Sequence, residues 1–271
     1  MNKLKKISNI GLRIILLILI SGLFLQVLSK FPVLHPIIMN TGNVFLLISV
    51  LITYFIFRDQ KRYSLKLKDQ KLGLNFLKGS LLGIISMTII FLVNIITGRI
   101  QVLSLANVFE DKNFYFYLTR MIGVGIGEEV FTRGYLQNMI KHFSNIKIAV
   151  LLPSLVFSAL HFANPGALSN PLPAINLFLV SIVFALLCLY FDSIWPAIGY
   201  HFTWNFFQGG IFAMHVSGTR AESSLFIIKI LKDDLVYGGT FGPEGGLVVT
   251  GVLIITLFLL YKKFAQRKSL N

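Results

Sequence analysis

Apolar runs of about 17 to 22 residues recur from one end of this chain to the other, beginning with IGLRIILLILISGLFLQVL at residues 10–28. That length matches the ~30 Å hydrocarbon core of a bilayer crossed at 1.5 Å per helical residue. The period-2 alternation of a transmembrane barrel is absent. With 55% hydrophobic and only 13% charged residues, the chain lacks the charge to cover a soluble domain of 271 residues. The expected fold is therefore all-α, a polytopic transmembrane helical bundle. It has about eight spans, at roughly 9–28, 43–57, 79–97, 115–140, 147–163, 174–191, 194–215 and 246–262. No repeat, low-complexity tract or soluble unit interrupts them, so residues 1–271 read as a single integral membrane domain.

The net charge of +14 invites a nucleic-acid partner, but the placement of the basic residues excludes it. They gather beside spans: Lys3, Lys5, Lys6 and Arg13; Arg58 to Lys78; Lys141 and Lys147; Lys262 to Lys268. These segments fall on one side of an alternating topology, which sets both termini in the cytoplasm and makes the lipid bilayer the partner. Residues 58–78 are expected to lie along the anionic leaflet as an amphipathic piece. The Gly-rich stretch at 216–245 is expected to be a flexible external connector, with a substrate-gating lid as the less supported alternative. The one cysteine, Cys188, sits in an apolar run and reads as a small buried hydrophobe. The first apolar stretch is too long for a signal peptide and reads as an uncleaved span.

Ionisable groups at membrane depth cost at least ~2.5–3.5 kcal/mol each on insertion scales, so each requires a reason. Glu128 and Glu129 fall mid-span in GIGEEVFTRGYLQ, His161 ends FSALH, and HFTWN carries His201 and Asn205. Glu129 and Arg133 are at i,i+4, close enough to pair and support the site. Glu128 is turned ~100° away and can face another neighbour. Phe157 and His161 share the i,i+4 spacing, as do His201 and Asn205. Singly, each could be a satisfied structural group; together they point to one polar cavity between the fourth, fifth and seventh spans.

No GxSxG elbow and no HExxH are present, and the cysteine is far in the pattern from the histidines, which argues against acyl-enzyme chemistry. Water activation remains, with a buried carboxylate as base, a histidine sharing the proton, and imidazole and amide N–H groups for the oxyanion. A His₂Glu zinc site at Glu128, His161 and His201 is the lesser alternative to a site without cofactor.

EEVFTR, FSALH and HFTWN resemble the EExxxR, FxxxH and HxxxN motifs of the CPBP family. This family groups CAAX prenyl proteases with bacteriocin-processing and bacteriocin-immunity (Abi-type) proteins. The resemblance covers about residues 115–210 and implies an intramembrane glutamate peptidase. Glu128 and His161 would then activate water, His201 and Asn205 would form the oxyanion hole, and Glu129 and Arg133 would support them. It implies a peptide or membrane-protein substrate, with the oligomeric state open. The expected location is a cell membrane of bacterial plasma-membrane type. A non-catalytic immunity or scaffold protein using the same cavity, and a proton-coupled transporter, are the alternatives. One tension accompanies this reading: the span edges put His201 about 10 Å from the inner end of its helix and His161 about 22 Å from its own.

Overall fold

The computed structural model describes residues 3–30 and 43–269. Helix α1 spans Lys3–Ser29, α2 Val44–Ile56 and α3 Leu72–Ile96. Strand β1, Ile100–Leu105, leads to α4, Lys112–Glu129, which runs on as a π-helix over Val130–Gln137 and ends as α5, Asn138–Phe143. Then come α6 (Ile146–Leu160), α7 (Leu172–Phe191) and α8 (Trp195–Asn205), the last extended by a π-helix at Phe206–Ile211. Strand β2, Phe226–Ile230, precedes α9, Leu247–Ser269. A helix thus stands at every stretch read as a span. Among the described residues, Leu72–Ile96, Leu172–Phe191 and Leu247–Gln266 are long and apolar enough to cross a membrane, and Ser8–Phe24, Phe45–Ile56 and Ile146–Leu160 are shorter apolar helical pieces.

The tightest helix pair is α3 with α8, and small residues explain it. Gly79 and Gly83 stand one turn apart on α3, as in GxxxG dimers, opposite Gly199 and Thr203 on α8. A Cβ at Gly79 would lie 1.9 Å from the Pro196 carbonyl oxygen, and one at Gly199 2.3 Å from that of Phe76. Thr203 Oγ1 donates across the contact to the Ser80 carbonyl at 3.0 Å. This fixes α8 in rotation and depth.

The fold departs from a purely helical one in a two-stranded antiparallel sheet, with Ile100 opposite Ile230 and Leu105 opposite Phe226. Strand β2 belongs to the stretch expected to be a flexible connector, and that expectation fails. Besides the sheet, Arg99 forks onto Asp234 with two bonds of 2.9 Å, and Arg120 onto Glu222 with two of 2.7 Å. Tyr237 and Phe241 are fully buried. Its glycines serve geometry as well: Gly238 and Gly242 hold φ of 125° and 88°, in the left-handed region open to glycine.

Residues 58–78, expected to lie along the leaflet, run without regular helix through most of 62–71 before entering α3 at Leu72, and part of that run folds against the protein. Leu65 is buried, the Lys66 carbonyl accepts from Ile194 N, and the Leu67 carbonyl accepts Trp195 Nε1 at 2.8 Å. Arg13, placed with the basic flank in sequence, is 1% exposed. It forks onto the fully buried Asp59 with two bonds of 2.8 Å, and Tyr63 and Tyr135 add hydroxyl bonds to the same carboxylate. Burial pushes the Asp59 carboxyl up, but these bonds outweigh it and hold its pKa below the ordinary value of 3.8.

Candidate active site

Helix α4 is capped by Asp111, whose carboxylate accepts from Asn113 N at 2.9 Å, and it delivers Glu128 and Glu129 at its end. Directly beyond, the backbone widens into the π-helix, a rare form frequently seen at functional sites. Helix α6, capped by Asn145, ends at its C-cap residue His161. Helix α8 presents His201 six residues after its start, with Asn205 one turn on. Glu128, His161, His201 and Asn205 line one cavity of about 160 Å³, with walls from Met121, Leu177 and Val180.

His161 and His201 meet despite their unequal distances from their helix ends: their Nε2 atoms lie 4.0 and 3.9 Å from Glu128 Oε2. Ser193 and Ile194, just before α8, are buried, and the chain near Lys66 and Leu67 packs against that end.

The two glutamates do different things. Oε1 of the fully buried Glu129 accepts Arg133 Nη1 at 3.0 Å and lies 2.9 Å from His201 Nδ1. Arg133 is held further by Thr132 Oγ1 at 2.6 Å and by the carbonyl and hydroxyl of Ser181 at 2.9 and 2.5 Å. Its guanidinium sits 4.9 Å from the Phe157 ring centre and 5.1 Å from that of Phe184. Cation–π contact and charge-assisted bonds together compensate its burial.

Glu128 is free of the arginine. Its Oε2 lies 4.0 Å from His161 Nε2 and 3.9 Å from His201 Nε2, and it has no hydrogen-bond partner among the described residues. Its Oε1 accepts from the amide of Asn43, the residue just before α2, whose side chain makes no helix cap. Asn43 comes this close because residue 127 is glycine: a Cβ there would stand 2.3 Å from the Asn43 carbonyl oxygen.

Hydrogen-bond partners fix much of the tautomer state. His161 Nδ1 is 2.8 Å from the Phe157 carbonyl, an acceptor, so Nδ1 carries a proton and the neutral ring turns a lone pair at Nε2 toward Glu128. His201 Nδ1 faces a carboxylate and likewise carries a proton. The Phe184 ring stacks on His201 at 5.1 Å, and Phe157 lies edge-on to it at 5.9 Å. Ring orientation is thus set by packing as well as bonding.

Two gaps of 3.9 and 4.0 Å leave room for a water that bonds both sides. Bonds of ~2.8 Å across such a gap meet at about 90°. Tetrahedral zinc, with ligand bonds of ~2.1 Å, would draw its donors to ~3.4 Å apart. The donors are spaced more widely than that, and no group of three or more His, Cys, Asp or Glu among the described residues could hold a metal ion.

Several participants escaped the sequence reading. Asn43 could have been flagged as an Asn before an apolar run, but only as a cap. Ser181 and Phe184 sit in an ordinary apolar helix. Glu244 lines the cavity from the Gly-rich loop: its Oε1 accepts Trp204 Nε1 at 3.1 Å, and its Oε2 accepts the Ser217 amide and hydroxyl at 2.7 Å. An acid inside PEGG gave no signal of its own.

Residues 110–207 match the Rce1-like family, described as Type II CAAX prenyl endopeptidase Rce1-like, a stretch holding Glu128, Glu129, Arg133, Phe157, His161, His201 and Asn205. The match supports the CPBP/CAAX protease family, and with it an enzyme acting on a peptide or protein. No curated protein and no solved structure matches the chain.

Proposed function

We propose, from the CAAX-type protease family that residues 110–207 match, that this chain is a multi-pass membrane endopeptidase whose Glu128 activates a water to hydrolyse a peptide bond. The observation that carries this reading is the unpartnered Glu128 Oε2 facing two imidazole Nε2 atoms at 3.9 and 4.0 Å inside a mostly apolar cavity. The chain crosses as α1, α2, α3, α4 with α5, α6, α7, α8 with its π-extension, and α9. An even number of crossings returns both termini to the cytoplasm, in agreement with the basic flanks. A bacterial-type plasma membrane suits it.

In the reaction, a water in the gap donates to Glu128 Oε2 and is held by the His161 Nε2 lone pair. Glu128 takes its proton as the oxygen attacks the scissile carbonyl. The tetrahedral oxyanion accepts from the Asn205 amide and from His201 Nε2–H. Since His201 Nδ1 is already committed to Glu129, an N–H at Nε2 requires the imidazolium form. That form balances the site: Glu128 and Glu129 negative, Arg133 and His201 positive, for a net charge of zero in a low-dielectric interior. The proton on Glu128 then passes to the departing amine as the C–N bond breaks, leaving a free amine and a carboxylic acid whose own proton passes to the His161 Nε2 lone pair. No metal is required at any step.

The substrate is a membrane-associated peptide segment: a prenylated C-terminus, a leader peptide of the bacteriocin kind, or a regulatory membrane protein. A quenched peptide of each class, given to the purified protein and to Glu128→Gln, tests the reading. Cleavage by the first and a loss of ~10²-fold or more in the second is the expected result. Equal rates in the two end the proposal.

A further inference from the structure

A second concavity lies across the bundle and shares no residue with the catalytic cavity. It is a groove of about 800 Å³ between α3, α7 and α9. Leu82, Ile85 and Ile89 of α3 and Ile255 and Leu259 of α9 form its apolar walls, and all five are exposed. One end is basic: Lys78 at the start of α3 meets Lys262 and Lys263 near the end of α9. No Asp or Glu lines the groove. None of the three lysines has an ion-pair partner among the described residues. The Lys78 ammonium rests 5.4 Å from the Phe191 ring centre and that of Lys262 4.7 Å from Phe258, which holds their stems along the protein.

We propose that this groove binds one anionic glycerophospholipid of the cytoplasmic leaflet, with its phosphate at Lys78, Lys262 and Lys263 and an acyl chain along α3. Dimensions and charge both fit. From Lys78 to Ile89 the helix rises about 16 Å, close to half of a ~30 Å hydrocarbon core and so to the depth of one leaflet. The basic end falls on the side that the Lys and Arg pattern assigns to the cytoplasm, where anionic headgroups concentrate. A second copy of this chain is a poor occupant, because it would bring the same three positive charges against these. A neutral prenyl or acyl chain alone would leave the lysines unmatched.

The test reads lipid mass rather than cleavage, so it stands apart from the proposed peptidase activity. The full-length protein, purified in mild detergent, is offered phosphatidylglycerol and phosphatidylcholine in equal amounts, and retained lipid is weighed by native mass spectrometry. The wild type is expected to retain one phosphatidylglycerol in preference. That preference should fall about fivefold for each of Lys78→Gln, Lys262→Gln and Lys263→Gln, the pull of one lysine on an anionic surface. A variant carrying Lys61→Gln, Lys141→Gln and Lys147→Gln, which loses as much charge as the three groove substitutions combined, should keep it. Ile85→Trp, which fills the groove and leaves every lysine in place, should lose the bound lipid. Equal retention of the two lipids by the wild type, an unchanged preference in the groove-lysine variants, or a lipid retained by Ile85→Trp overturns the proposal.

Discussion

His201 Nδ1 lies 2.9 Å from Glu129 Oε1, the same oxygen that receives Arg133, so the second glutamate of the pair orients an imidazole instead of lining the cavity. The division of labour between neighbouring carboxylates follows from which one the arginine reaches. Replacing Glu129 by Gln keeps the shape but removes the charge that favours imidazolium. We expect kcat to fall by roughly 10²-fold, the size of losing one oxyanion donor, with KM little changed. Steady-state cleavage kinetics check this, and a change confined to KM would contradict it.

Glu129→Ala is a different experiment, since it strands a buried guanidinium. The loss should be ~3–5 kcal/mol of stability, read as an early unfolding midpoint in detergent. A wild-type midpoint would mean that Ser181, Thr132 and the two phenylalanine rings suffice to hold Arg133.

Gly127→Ala places a methyl where the Asn43 backbone now sits, 2.3 Å from its carbonyl oxygen. Residue 43 must retreat, at a cost of ~1–3 kcal/mol, and its amide then leaves Glu128. Activity should change in the same direction in Gly127→Ala and Asn43→Ala. A divergence between them would separate the glycine from the amide.

Asp59→Asn removes the charge facing buried Arg13 and should cost ~3–5 kcal/mol. Because the folded pKa of Asp59 is depressed, its contribution is fully present above the ordinary value of 3.8 and is lost as pH falls through the lower folded value. Unfolding midpoints followed from about pH 5 down through the folded value should therefore show an acid-side decline that Asp59→Asn lacks; parallel curves would refute the assignment.

The loop tethers give a related expectation. Arg99 holds the Asp234 carboxyl below its ordinary 3.8, and Arg120, working against partial burial, holds Glu222 below 4.5. Hydrogen-exchange protection of the β1–β2 amides should be steady above about pH 5 and weaken only as pH falls below these values. Weakening between pH 6 and 8 would point to other anchors.

What could be read from the sequence tracks the physics of the bilayer. Glu128, His161, His201 and Asn205 stand out because a polar group costs most where its neighbours are apolar, so the same contrast that locates the helices locates the site. The pairing of Glu129 with Arg133 was equally visible, being a matter of local helical spacing. The stitching of the 216–245 stretch was not. Arg99 and Asp234 lie 135 residues apart, Arg120 and Glu222 102, and no local pattern joins them. IQVLSL trails a span and FIIKI lies inside the Gly-rich stretch, and only their pairing makes them strands. The burial of Arg13 was hidden because a basic residue near an apolar run looks the same whether it faces headgroups or a carboxylate.

The wide helical turns over Val130–Gln137 bear on how such a chain can change over generations. Bonds that reach five residues back accommodate one residue more than regular winding would. Loss of a single residue there would restore regular winding and leave everything downstream facing as before, whereas the same loss in an ordinary turn would swing it by about 100° relative to Glu128. Inheritance can thus shed one residue here without turning the rest of the helix.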